Sequence, residues 1–288
     1  MEFVDRMLTL RNGVEMPKIG LGTFRSSPEE INLAVTTALQ MGIMHIDTAS
    51  IYKNQEAIGQ AIKDTKTPRS KVFVTSKISP YQQGRQKAYA ACVDILEKLD
   101  LGYVDLVLVH WPGASKTPPD SELNSTLRAE TWQVMEEFHR QGKFKSIGVS
   151  NYEERHIQEL LNHASVPPAV NQFEVHPRRP CTALRKACSS AGIQVVAYAS
   201  MGAGQLLESQ KVITTAHAIN RSPAQVLLRW GLLKGCAVIP KSVRPERISG
   251  FSEAALLDGW SAEEDEEVLK LDSLEDGHKY CWDPSDIR

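Results

Sequence analysis

The stretch "SPEEINLAVTTALQMGIMHID", residues 27–47, writes a helix and a strand back to back. Ser27 is placed to cap a helix N-terminus, Pro28 falls in the first turn where its missing N–H is harmless, and Glu30 completes a capping box. Apolar residues three and four apart follow, and Gly42 stops the helix. "IMHID" comes next: apolar, too short for a helix, and cut off at Asp47. A helix feeding directly into a short buried strand is half of a repeating unit, and the same rhythm runs along the chain.

Short apolar runs at 19–24, 43–47, 72–77, 104–110, 146–151, 169–176, 194–199 and 237–241 alternate with longer stretches of helical period. "SPAQVLLRWGLLKG" repeats the cap, proline and glycine stop with Ser222, Pro223 and Gly235, while "KAYAACVDILEKLDLG" and "TWQVMEEFHRQGK" each bury one face. Strands that are apolar throughout imply a sheet covered on both sides, and hence a parallel one. Eight strand–helix units favour an α/β fold, a closed (β/α)8 TIM barrel forming one domain over residues 1–288. The rival is an open doubly wound sheet, with about five or six strands and a Gly-x-Gly-x-x-Gly after the first. "IGLGTF" lacks the third glycine that would open a helix. Outside the eight units stand an N-terminal β-hairpin at 8–17, around an Asn12-Gly13 turn that needs positive φ, and an extra C-terminal helix at 261–275 capped by Ser261 and Glu264. The longest polar loop is 112–126.

Composition excludes several partners. With 33 basic and 35 acidic residues the net charge is -2, and no basic run offers a surface to nucleic acid or an anionic membrane. No apolar run reaches the roughly 18 residues of a membrane span, and "MEFVDRMLTLRNG" lacks the basic region and apolar core of a secretory leader. A cytoplasmic monomer is therefore expected. Five cysteines and eight histidines lie scattered without metal-ligand spacing, so the thiols read as reduced and no metal site is expected.

In such a barrel the C-terminal mouths of the strands share one face. Here the runs end on Asp47, Lys77, His110, Ser150 and Asn151, Gln172 to Glu174, Tyr198 and Lys241. Each alone has a plain reading: Asp47 opens a turn, Lys77 is a solvated strand end, His110 a satisfied core histidine. Polar ends on nearly every strand, on one rim, point instead to a site. Tyr52, five residues past Asp47, has an ordinary pKa of about 10 and is a reluctant acid. A neighbouring ammonium, Lys77, would lower that value, and Asp47 would supply the partner a buried lysine requires. A neutral His110 could orient a carbonyl oxygen. Together the four are expected to protonate an alkoxide as it forms at a carbonyl carbon.

The segments "HIDTASIYKNQEAIG", "TSK", "LVLVHWP", "IGVSNY", "NQFEVHP" and "IPKSVRPERI" resemble the signature segments of the aldo-keto reductases, in that family's order, from about residue 8 to the end. The resemblance implies a (β/α)8 barrel using NADPH to reduce small-molecule aldehydes and ketones. It makes Tyr52 the general acid, Lys77 and Asp47 its tuning pair, and His110 the carbonyl-orienting group. Ser150, Asn151 and Gln172 match the groups that hold the nicotinamide carboxamide, and Tyr198 the ring stacked upon it. Lys241, Ser242 and Arg247 match the surroundings of the adenosine 2′-phosphate; two cations and a hydroxyl suit a dianion. Three departures stand out. Ala199-Ser200-Met201 follows Tyr198 where the family has Ser-Pro-Leu, leaving Ser200 as the pyrophosphate candidate. Ser249 and Gly250 replace a Glu/Asn pair near the adenine, and Phe24 replaces a pocket Trp. Phe24 and Trp111 are expected pocket walls, while Cys281 and Trp282 either line the pocket or seal the barrel. The loops 112–126 and 200–208 and the tail hold the substrate preference, and their modest lengths suggest an open pocket and broad aldehyde reduction. A barrel that binds NADPH for a regulatory or structural purpose is the second reading; the intact ionisable set argues against it.

Overall fold

A computed structural model describes residues 6–288; residues 1–5, assigned above to the same domain, lie outside the described residues. Strands β1 (Met7–Thr9) and β2 (Glu15–Pro17) form the antiparallel hairpin. Only Gly13 in its turn takes positive φ, at +80°. Asn12 instead donates its side-chain amide to the Lys145 carbonyl (2.9 Å) and the Ser146 hydroxyl (3.1 Å), pinning the hairpin under the barrel.

The barrel strands are β3 (Gly20–Gly22), β4 (His45–Asp47), β5 (Phe73–Ile78), β6 (Val104–Val109), β7 (Phe144–Ser150), β8 (Val170–Glu174), β9 (Gln194–Tyr198) and β10 (Ala237–Val238). Each pairs in parallel with the next. Bridges from Ile19 to Val238 and from Gly22 to Lys241 bring the last strand onto the first. β10 is shorter than the expected run because Pro240 has no N–H to continue a ladder.

Helices α1 (Pro28–Gln40), α2 (Gln55–Asp64), α3 (Arg85–Leu99), α4 (Leu123–Arg140), α5 (Glu154–Leu161) and α6 (Thr182–Ser190) each follow one strand. After β9 come α7 (Gln210–Ala218) and α8 (Pro223–Leu233), and after β10 the short α9 (Pro245–Ser249) and α10 (Glu253–Leu256). The extra C-terminal helix is α11 (Ala262–Leu269). The capping boxes at Ser27, Ser222 and Ser261 all form. One expectation needs correction. The loop from 112 ends at α4, which starts well before the apolar "TWQVMEEF" because its polar first turns are bonded rather than solvated. Buried Asn124 takes the Ala114 N–H and donates to Pro118, and buried Arg128 donates to the Pro112 carbonyl. Helix α7 was not anticipated at all.

Alternation along the strands builds the barrel in layers. Val74, Val107, Val109, Val149, Phe173, Val195 and Ala197 pack outward against the helices. Phe73, Leu106, Leu108, Val170, Val196 and Ala237 fill the interior, plugged from below by hairpin residues Leu10 and Met16. Two or four residues further along these inward faces stand Lys77, His110, Gln172, Glu174 and Tyr198, joined by Asp47 and Ser150 at the ends of β4 and β7. The polar rim is thus the top layer of the barrel interior.

Candidate active site

Asp47 and Lys77 meet in this top layer. The Lys77 Nζ donates to Asp47 Oδ1 at 2.5 Å and to the Thr48 carbonyl at 2.8 Å, with both side chains almost wholly buried. The other Asp47 oxygen accepts from the Gln172 amide at 2.8 Å. Gln172, expected against a cofactor, is therefore also the second clamp on the carboxylate. Burial pulls the Lys77 pKa below its ordinary value, and Asp47 acts against that pull.

Tyr52 is brought back over this pair by a single 3₁₀ turn, Ser50–Tyr52. The turn is tied on three sides: Tyr52 N–H to the Ala49 carbonyl (3.0 Å), Ser50 Oγ to Gln82 (2.6 Å), and Thr48 Oγ1 to Asn54 (2.7 Å). Lys77 Nζ stands 5.2 Å from the Tyr52 ring centroid. The rings of Phe24 and His110 flank it at 5.1 and 5.7 Å.

The expected lowering of the Tyr52 pKa is overturned. Burial and then the Asp47 charge push it well above its ordinary value, so the phenol keeps its proton at neutral pH. Asp47 already compensates the ammonium that was expected to lower it. His110 moves the other way: burial, then Lys77, lower it to about 3 and leave it neutral. Its buried Nδ1 has no hydrogen-bond partner among the described residues.

Ser150, Asn151 and Tyr198 form one chain. Ser150 Oγ donates to the Gln172 carbonyl (2.8 Å), Asn151 donates to the His110 carbonyl (3.1 Å), and Tyr198 OH donates to Asn151 Oδ1 (2.7 Å). Asn151 holds a left-handed backbone, φ +63°, which suits asparagine better than most residues.

At the far rim Ser242 is buried and accepts the Arg244 N–H at 3.1 Å, while Lys241 and Arg247 are exposed. Neither cation has an ion-pair partner among the described residues. That donor set, two uncommitted cations beside a hydroxyl, fits a phosphate dianion. Ser200 is buried with its hydroxyl turned toward the Ala197 carbonyl at 3.5 Å, and Ser249 Oγ bonds back to Glu246.

Phe24 lies at the mouth, 38% exposed, and its ring meets Trp282 at 6.1 Å; Trp111 is half-buried and held through its carbonyl by Gln83 (2.7 Å). The Trp282 contact places the tail beside the site. Sequence reading missed two roles: the Thr48 carbonyl as a Lys77 partner, and Gln172 as a carboxylate clamp. The signal for the second was parity, because Val170 and Gln172 share one face of β8.

The model of the "Aldo/keto reductase family" matches residues 18–270. Glyoxal reductase of Bacillus subtilis is 39% identical over 279 residues, covering 96% of each chain. Glycerol 2-dehydrogenase (NADP(+)) of Saccharomyces cerevisiae is 35% identical over 307 residues, covering 98% of this chain and 96% of that one. Among solved structures, an aldo-keto reductase enzyme from a Medee basin deep-sea metagenome library superposes with a TM-score of 0.85 at 35% identity, over 98% of this chain and 99% of its own.

Proposed function

The chain belongs to the aldo/keto reductase family, oxidoreductases of small-molecule carbonyls, and from that premise we propose that it reduces aldehydes and ketones with NADPH, Tyr52 donating the proton. The observation that carries this reading is the Tyr52 ring 5.2 Å from the Nζ of the buried Lys77–Asp47 pair, with the His110 ring 5.7 Å away. When bound, the reduced nicotinamide supplies the hydride. Ser150, Asn151 and Gln172 would hold its carboxamide and Tyr198 its ring face, with Ser200 near the pyrophosphate and Lys241, Ser242 and Arg247 around the 2′-phosphate.

The protein's own part is proton delivery. The raised pKa keeps the phenol proton from neutral water, yet an alkoxide forming beside it is a stronger base than phenolate and takes the proton. Lys77 then faces the phenolate left behind, and Asp47 keeps that lysine charged although it is out of water. Neutral His110 can donate one N–H to the carbonyl oxygen without adding a cation beside Lys77. Phe24 and Trp111 wall the substrate. The reading takes the protein to act as a cytoplasmic monomer, on one domain spanning 1–288.

NADPH preference is tested by quenching of tryptophan fluorescence. The wild-type protein should bind NADPH well above NADH. Arg247→Ala should weaken NADPH binding about tenfold, near the lower end of a charged hydrogen bond's worth, and leave NADH unmoved. Equal Kd values for the two cofactors would contradict the assignment. Loss of NADPH absorbance with 4-nitrobenzaldehyde tests the reaction itself.

A further inference from the structure

Glu174 ends β8 at an inward position, 2% exposed, and neither the proton-donating set nor the cofactor-binding set employs it. A buried carboxylate is costly unless its oxygens are occupied. Here Oε1 accepts from the Tyr280 N–H (2.7 Å) and lies 2.9 Å from His176 Nε2, while Oε2 accepts from the Cys281 N–H (3.1 Å). Burial alone would raise the Glu174 pKa; the contacts from His176 and the two amides outweigh it and hold the group below its ordinary range. The His176 ring also meets Tyr280 edge-on at 5.0 Å.

The tail is fastened elsewhere at its two ends. The Asp276 and Gly277 amides bond to the Arg178 carbonyl at 3.2 and 3.0 Å. Beyond, Arg155 and His156 hold the Ile287 carbonyl, and Arg128 holds that of Arg288, at 2.7 to 2.8 Å. Between these ends, Glu174 takes both amides immediately before Trp282. That ring is 62% exposed and stands against Phe24, which stands against Tyr52.

We propose that Glu174 is a positioning residue that latches the Tyr280–Cys281 backbone to the mouth of β8, setting the distance between Trp282 and Phe24 and so favouring carbonyl substrates with a flat aromatic group. The substrate part rests on the carbonyl-reductase reading; the latch itself does not. Glu174→Gln keeps the shape but turns an amide nitrogen toward one of the tail's N–H groups.

The test has two readouts. In limited trypsinolysis, Glu174→Gln should cut faster after Lys279 than wild type, seen by mass spectrometry as the 1–279 fragment. In steady state, its KM for 4-nitrobenzaldehyde should rise about tenfold, the size of a lost pocket contact, with kcat for propanal unchanged. Trp282→Ala should raise the same KM without altering cleavage. Cys281→Pro removes one tail donor and leaves the carboxylate alone, so it should reproduce both changes even if Glu174→Gln folds poorly. Wild-type cleavage and KM in both latch variants would overturn the proposal. A wild-type protein inert toward every carbonyl would instead remove the substrate part, and the cleavage rates would still decide the latch.

Discussion

Lys77 is held where its side chain is 1% exposed, and what favours its charge lies within 3 Å: Asp47 at 2.5 Å and the Thr48 carbonyl at 2.8 Å. Lys77→Met should therefore destabilise the fold by about 3–5 kcal/mol, because Asp47 would stay buried with only the Gln172 amide for a partner. Adding Asp47→Asn should recover part of that loss in urea unfolding; two losses that simply add would contradict the coupling. At this scale the residue types were legible, since four ionisable side chains at strand ends have a shared chemistry. The direction of the Tyr52 shift was not. It depends on how deeply the phenol is buried, and its neighbours come from separate parts of the chain: His110 after β6, Phe24 after β3 and Cys281 in the tail.

Elements were legible where period and caps agreed, as in α1 and α8, whose Ser-Pro starts form as written. They were illegible where polar residues serve packing, as at Asn124 and Arg128 in α4. Close approach between helices was equally invisible. Gly59 lies in α2, and a Cβ built there would stand 2.0 Å from the Leu99 carbonyl oxygen at the end of α3. Alanine in an exposed helix interior gains about 1 kcal/mol over glycine. Here overpacking against backbone, typically about 1–3 kcal/mol, should win. Gly59→Ala should lower Tm by several degrees in a thermal melt, whereas an unchanged or higher Tm would show that the two helices separate freely.

Across the whole molecule, eight parallel strands were legible from eight two-sided apolar runs, but the layering inside them was not, because it requires knowing which alternate residues face inward. That interior holds His45, whose Nε2 lies 2.9 Å from Thr75 Oγ1, and His110. Burial lowers His45 from 6.5 to about 4 and His110 to about 3. As pH falls below about 6.5 the unfolded chain binds protons that the folded one refuses, so stability is full above that pH and lost as pH drops toward 4. Each histidine contributes a slope of up to about 1.4 kcal/mol per pH unit. Urea midpoints between pH 7 and pH 4.5 should fall steadily, and His45→Gln should flatten the fall; a flat wild-type profile would show that these rings are protonated in the fold. The barrel's purpose, on this account, is to hold one phenol ready to surrender its proton to an alkoxide. Tyr52→Phe tests that most directly: kcat with 4-nitrobenzaldehyde should drop about 10²–10⁴-fold while the NADPH Kd stays at the wild-type value. A variant that retains most of its kcat would contradict the account.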